Sequence, residues 1–321
     1  MSTVARVLCL VLIAVAAAAV RAQSYPTKPI KVVVPFAPGG VADIVMRTMA
    51  PRLVEGLGQQ VIIENKPSAG GILAAESVAR AEPDGYTLLL ISNGNAVSAA
   101  LFAALPYDPL NDFTMISTIG FFSLVIITDP GFEAKSVREL IALARAKPGA
   151  LNAGTIGVGS TQNLAAELFR SMAGINVQVI PYKATPEVLA GLKNRDIQFG
   201  VEFIAPVISN IRAGNLRAVA VTSAQRYAEL PDVPTASESG LAGFDVVSWN
   251  GLAAPAKTPR AVVDRLSQAV VKAVASPAVR RRLLELGVEA RASTPGELRE
   301  LFVAEQKRWT RVIEAAGIPK R

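Results

Sequence analysis

Two short glycine-rich stretches in this sequence can present main-chain N–H groups to an anion. The first is Pro35-Phe36-Ala37-Pro38-Gly39-Gly40-Val41-Ala42-Asp43. It follows the β-branched run Ile30–Val34 and precedes a helical pattern that continues to about Glu55. Pro38 fixes φ and the two glycines carry no Cβ, so the chain can turn sharply with its amides exposed. Those amides open toward a helix N-terminus, whose free N–H groups and positive dipole end favour a carboxylate. The second stretch is Gly157-Val158-Gly159-Ser160-Thr161, where Ser160 and Thr161 add hydroxyl donors ahead of a helix over Gln162–Ala173. A plain turn explains each stretch as well: Gly-Gly after a strand is common, and one hydroxyl suffices to cap a helix.

Other candidates stand at the ends of predicted strands. Asp43 falls in the first helical turn, where the dipole favours its charge; it can orient the loop amides or a water, or simply start the helix. Ser92, Asn93 and Gly94 close an apolar strand at the end where open α/β sheets bind ligands, and they also suit a simple turn. Tyr182 offers a ring face and a hydroxyl, with core packing as the competing use. Lys183 reads as a solvated charge. Trp249 could wall a cleft, although large aromatics on strands usually serve the core.

The composition restricts what these residues can do. The chain has 321 residues, 51% hydrophobic and 18% charged, enough for two globular units with real cores. It contains no histidine, which removes the commonest general base and metal ligand. Its single cysteine, Cys9, lies in a segment that reads as an export leader. Arg6 supplies the positive start of that leader, Val7–Val20 the apolar core, and Val20-Arg21-Ala22 a cleavable end. Processing after Ala22 leaves a thiol-free exported chain. It removes Arg6 and Arg21 and no acid, so the formal charge of +7 becomes +5, from 31 basic against 26 acidic residues. That mild excess helps an anion approach. The basic residues are scattered, which argues against nucleic acid, and the acids lack the spacing of a calcium loop. No cofactor or metal is implied.

The predicted elements place both glycine stretches alike. Strands at Ile30–Phe36, Val61–Glu64 and Tyr86–Ser92 alternate with helices at Val41–Glu55 and Ile72–Ala81, the order of a parallel, right-handed, doubly wound sheet. The apolar run Phe113–Thr128 is long for one strand and is interrupted at Gly120, so it reads as a crossover. A second alternating set follows, with strands at Leu151–Ile156, Val177–Pro181, Ile197–Phe203 and Leu216–Thr222. Phe244–Ala254 reads as the return crossover, and three helices finish the chain. The expected fold class is α/β, with two doubly wound lobes joined by two crossover strands. Residues 1–22 form the leader, 23–123 with 247–321 one lobe, and 124–246 the other. Both glycine turns then face a cleft.

These residues carry a family resemblance. Val34-Pro35-Phe36-Ala37-Pro38-Gly39-Gly40 with Asp43, Glu64-Asn65-Lys66-Pro67-Ser68-Ala69-Gly70-Gly71, Pro83-Asp84-Gly85-Tyr86-Thr87-Leu88, Leu105-Pro106-Tyr107-Asp108-Pro109, Pro181-Tyr182-Lys183 and Leu216–Thr222 occur in this order. Together they resemble the Bug-type periplasmic solute receptors of tripartite tricarboxylate transporters, over nearly the whole chain after the leader. The resemblance implies a type II periplasmic-binding-protein architecture closing on a di- or tricarboxylate, an acidic amino acid or an aromatic acid. It also implies a monomer that serves membrane permease subunits. Ligand contacts then fall on Phe36, Ala37, Pro38, Gly39, Gly40 and Asp43, on Ser92 and Asn93, and on Gly157, Ser160, Thr161, Tyr182 and Glu202. The sequence departs from the family pattern at three places. Ala184 replaces the glycine after Tyr-Lys, Gln162 and Asn163 stand where a histidine is frequent, and Glu202 replaces an aspartate.

Two other function classes compete for these residues. A serine hydrolase using Ser160 lacks a histidine base; a Ser–Lys pair is conceivable, but Gly157-Val158-Gly159-Ser160 lacks the glycine that follows the nucleophile in Gly-x-Ser-x-Gly. A receptor docking on a membrane signalling protein is indistinguishable in sequence from one serving a permease.

Overall fold

The computed structural model describes residues 25–320; the leader expected over Met1–Ala22, with Cys9, lies outside the described residues. Strand β1 (Ile30–Val34) shows why its valine run reads as continuous. Val32 and Val34 enter one core with Val45, Met46 and Met49 of helix α1 (Val41–Leu57). Val33 enters another with Ala74, Ala75 and Val78 of α2 (Ile72–Ala79). A strand covered on both faces has no side that must stay polar. Strands β2 (Val61–Asn65) and β3 (Thr87–Ser92) flank β1 and run parallel to it. Ser92-Asn93-Gly94, legible as a strand-ending turn, instead begins helix α3 (Asn93–Leu101), where Asn95 Oδ1 accepts the Ser92 amide at 2.9 Å.

The long apolar run is one continuous strand, β4 (Phe113–Thr128), and the interruption expected at Gly120 is a slip of register against its neighbour between Thr118 and Gly120 rather than a break in the strand. Its first part pairs antiparallel with β9 (Val247–Pro255), from Phe113 opposite Pro255 to Ser123 opposite Val247. From Leu124 it pairs instead with β7 (Phe199–Phe203), and from Val125 with β8 (Arg217–Val221). Gly120 is explained by packing. A Cβ there would lie 2.6 Å from Val288 Cγ1 and 2.9 Å from the Glu289 carbonyl of strand β10 (Val288–Ala290), which pairs with β4 at this point. In the second half of the sheet, β5 (Asn152–Ile156) runs parallel to β6 (Gln178–Tyr182) and β7. The main path is β2-β1-β3-β9-β4-β7-β5-β6.

Helices cover both faces of each half. The second half carries α4 (Val137–Ala146), α5 (Thr161–Ala173), α6 (Thr185–Asn194) and α7 (Ile204–Arg212). The first carries α8 (Arg260–Ala275) and α9 (Pro277–Glu285) beside α1. The last helix, α10 (Pro295–Ala315), touches both halves. Leu298 and Phe302 share a core with Trp249 of β9, whereas Trp309, Val312 and Ile313 share one with Leu164 and Phe169 of α5. Among the described residues no helix is long and apolar enough to cross a membrane.

Candidate functional site

The two glycine turns are the same device built twice. Gly39 and Gly159 both take left-handed φ, 79° and 81°, which a side chain would strain. The next residues, Gly40 and Ser160, are the helix N-caps, with φ/ψ of −70°/162° and −68°/159°. The Gly39 amide donates to Asp43 Oδ2 at 2.9 Å, and the Gly159 amide donates to Asn163 Oδ1 at 3.1 Å. Gly40 donates to the Ala37 carbonyl at 3.3 Å, Ser160 to the Gly157 carbonyl at 3.1 Å. The Gly39 and Gly40 amides, expected to face a ligand, are both used by the loop itself in this structure. The open donors come next in the chain. Backbone N–H groups of Val41, Ala42 and Asp43, and of Thr161 and Gln162, find no acceptor among the described residues, as the first turn of any helix dictates.

Side chains hold each turn. Asp43 is buried and accepts from Gly39, from Arg47 Nε at 2.9 Å and, through Oδ1, from Asn65 Nδ2 at 2.9 Å. Asn65 also reaches the Phe36 carbonyl at 3.1 Å, tying the loop to the end of β2. The Arg47 hydrogen bond, helped by Gly39 and Asn65, holds the Asp43 carboxyl down at about 2. In the second turn Ser160 Oγ accepts the Asn163 amide at 3.1 Å and donates to the Ile156 carbonyl at 2.7 Å. The Tyr182 carbonyl accepts the Gly157 amide at 2.9 Å.

Both turns open on one cavity of about 490 Å³ between the two halves of the sheet. Phe36, Gly40, Ser92, Gly157, Ser160 and Thr161 line it; Ala37, Pro38, Gly39, Asp43, Asn93, Tyr182 and Glu202 do not. The reasons differ. Asn93 is fully buried between the halves, donating to Thr161 Oγ1 at 3.0 Å and accepting from Trp309 Nε1 at 2.8 Å. The Tyr182 ring lies over α6, where a Cβ on Gly191 would come within 2.7 Å of its hydroxyl. Glu202 stands behind Gln162, whose Nε2 reaches Glu202 Oε2 at 3.4 Å, and its Oε1 finds no protein partner. Burial pushes the Glu202 carboxyl up to about 7, although hydrogen bonds from Gln162, Thr185 and the Phe203 backbone pull the other way.

Several lining residues escaped the sequence reading. Asn250 is 4% exposed, lines the cavity, and leaves Nδ2 without a protein partner. Ser248 and Asn250 flank Trp249 on β9, and strand alternation turns them to the face opposite it. Trp249 itself is fully buried against Phe302, at 6.3 Å between ring centroids. Period-2 reading around Trp249 was the available signal. Phe122, Phe203 and Leu286 gave none, because their contact depends on how the two halves meet.

A sequence profile described as "Tripartite tricarboxylate transporter family receptor" matches residues 45–318. The chain belongs to this receptor family. It is similar to the periplasmic binding protein BugD, with 32% identity, 92% of this chain and 100% of that chain covered, and a TM-score of 0.77. An R. palustris protein solved with adipate shares 32% identity over 92% of this chain and 99% of that one, TM-score 0.79. MatC from Rhodopseudomonas palustris, solved with bound malate, shares 33% identity over 90% of this chain and 100% of that one, TM-score 0.75. The Bug-type resemblance and the α/β periplasmic-binding fold expected from the sequence both hold. A receptor of this family is a binding protein by role.

Proposed function

We propose that this protein is an extracytoplasmic solute receptor that traps a small organic carboxylate between two lobes and hands it to the permease subunits of a tripartite tricarboxylate-type transporter. The lobes are residues 23–123 with 247–321, and 124–246. The hinge lies where β4 changes partners between Ser123 and Leu124 and where the chain returns at Val246–Val247. One observation carries the reading: two matched helix starts, with open amides at Val41–Ala42 and Thr161–Gln162, share a cavity with the unpartnered Asn250 amide. Such donors stabilise an anion without a counter-charge. Adipate and malate in related proteins support the chemistry.

The protein is exported behind the leader Met1–Ala22 and acts as a monomer without catalysis. Ser160 serves as a cap, because its hydroxyl both accepts and donates within the turn. Calorimetric titration and thermal shift with a panel of organic acids, sugars and amines test the binding function. Carboxylates alone should raise the melting temperature; stabilisation by sugars or amines and by no acid would refute it. Ligand-dependent capture of co-expressed permease subunits tests the delivery step.

A further inference from the structure

We propose, resting on the two-lobe receptor reading above, that Tyr227 is a positioning residue for binding: its hydroxyl clasps the second lobe to the first and slows release of the bound acid. Tyr227 belongs to the lobe 124–246, and its Oη donates to the Leu284 carbonyl of α9 at 3.0 Å. Helix α9 packs with the other lobe, where Val279 and Leu283 share a core with residues of α1 and α8. The bond therefore crosses from one lobe to the other.

Both ends are fixed on their own lobes. The Tyr227 carbonyl accepts the Leu230 amide at 2.9 Å, and neighbouring Arg226 bonds Glu238 Oε2 at 2.9 Å and the Pro231 carbonyl at 3.1 Å. The Tyr227 ring is buried in a core with Val125, Ile127 and Leu230. Burial pushes its phenol up to about 12, so the hydroxyl keeps its proton and donates at neutral pH. Leu284 lies in the last turn of α9, whose carbonyls have no partner within the helix. The same Leu284 carbonyl accepts the Gly287 amide at 2.9 Å, which sets the turn after the helix. Leu286 and Gly287 of that turn line the cavity. Gly287, at a φ of 72°, lies so close to α7 that a Cβ would stand 3.0 Å from Ala205 Cβ, and Ala205 lines the cavity from the second lobe. One carbonyl thus ties Tyr227 to the place where the lobes meet and complete the wall.

Tyr227 itself does not line the cavity, so it acts on the ligand only through closure. A bond made in the closed state alone shifts the open–closed equilibrium and raises the apparent affinity by the same factor. It forms after the ligand has entered, so its effect falls on dissociation.

The test is Tyr227→Phe in the chain 23–321, a change that keeps the ring in its core and removes only the oxygen. Isothermal titration with malate, adipate, glutamate and benzoate finds the acid that the wild type binds most tightly, and surface plasmon resonance measures its rates on both proteins. The variant should bind that acid about three- to tenfold more weakly, with faster dissociation and an association rate within about twofold of the wild type. Wild-type affinity in the folded variant, or a loss confined to association, overturns the clasp and leaves the receptor reading intact. A lower melting temperature with wild-type rates makes the bond a structural one and overturns the clasp as well. Binding of none of these acids by the wild type overturns both readings.

Discussion

The Asn93 side chain donates to Thr161 Oγ1 at 3.0 Å and so joins the helix start after β3 to the helix start after β5. Its carbonyl accepts Trp309 Nε1 at 2.8 Å, which brings the last helix into the same bond chain. All three residues are buried. Asn93→Ala leaves two buried polar atoms unpaired, a cost of about 1–3 kcal/mol. The melting temperature should drop by several degrees, and affinity for the acid ligand should weaken because the anion-facing helix start at Thr161 loses its tie to the other half. Scanning fluorimetry and titration calorimetry read both; an unchanged melt would remove the bridge from the account.

Asp43 and Asn163 occupy equivalent places in the two turns, each accepting the amide of a left-handed glycine. Asparagine is therefore compatible with this role, and Asp43→Asn should be milder than Asp43→Ala, which loses about 1–3 kcal/mol with the loop's hydrogen bonds. The Asp43 carboxyl sits near 2 when folded, below its ordinary 3.8. Its contribution is present above about pH 4 and is lost as the pH falls toward 2. The stability gap between the wild type and Asp43→Ala should accordingly be full at pH 7 and narrow below pH 3, as urea melts at both values would reveal.

Glu202 behaves in the opposite sense. Burial raises its folded value to about 7 from an ordinary 4.5, so the folded state keeps a proton that the unfolded chain releases. Stability from this group is complete below about pH 4.5 and declines as the pH rises through 7. Glu202→Gln removes the decline, and its advantage over the wild type should grow by up to about 3 kcal/mol across that window. A difference that stays flat from pH 4.5 to 7.5 would contradict the raised value.

Asn250 separates binding from folding. Its Nδ2 finds no protein partner, so Asn250→Ala removes a polar group that nothing in the apo fold repays. The free protein should melt at the same temperature or slightly higher. Acid affinity should fall about tenfold, roughly 1.4 kcal/mol. A destabilised apo protein with normal affinity would make Asn250 a structural residue only.

Gly159→Ala places a Cβ 2.6 Å from Leu101 Cδ2, across the two halves, at a φ of 81°. The strain and the clash act together on the second turn, and ligand binding should weaken more than the equivalent Gly39→Ala, whose Cβ meets nothing within 4 Å. Comparing the two variants by calorimetry isolates the clash, because both carry the same backbone strain.

Local sequence was enough for much of this protein. The β-branched run at Ile30–Val34 and the glycine turns act within a few residues of chain, where sterics and hydrogen bonding choose the conformation without distant help. The repetition of strand, glycine turn and helix was legible for the same reason. The direction of the donors was not. Whether Gly39 offers its amide to a ligand or to Asp43 depends on a side chain held by Arg47 and Asn65, the latter from another strand. Tyr182 and Asn93 likewise went to Gly191 and Trp309, partners that only packing brings near. Gly120 looked like a break because β10, the strand that requires it, is far away in the chain. The cavity belongs wholly to the tertiary structure, since it arises where side chains from both halves meet and no local pattern records that meeting.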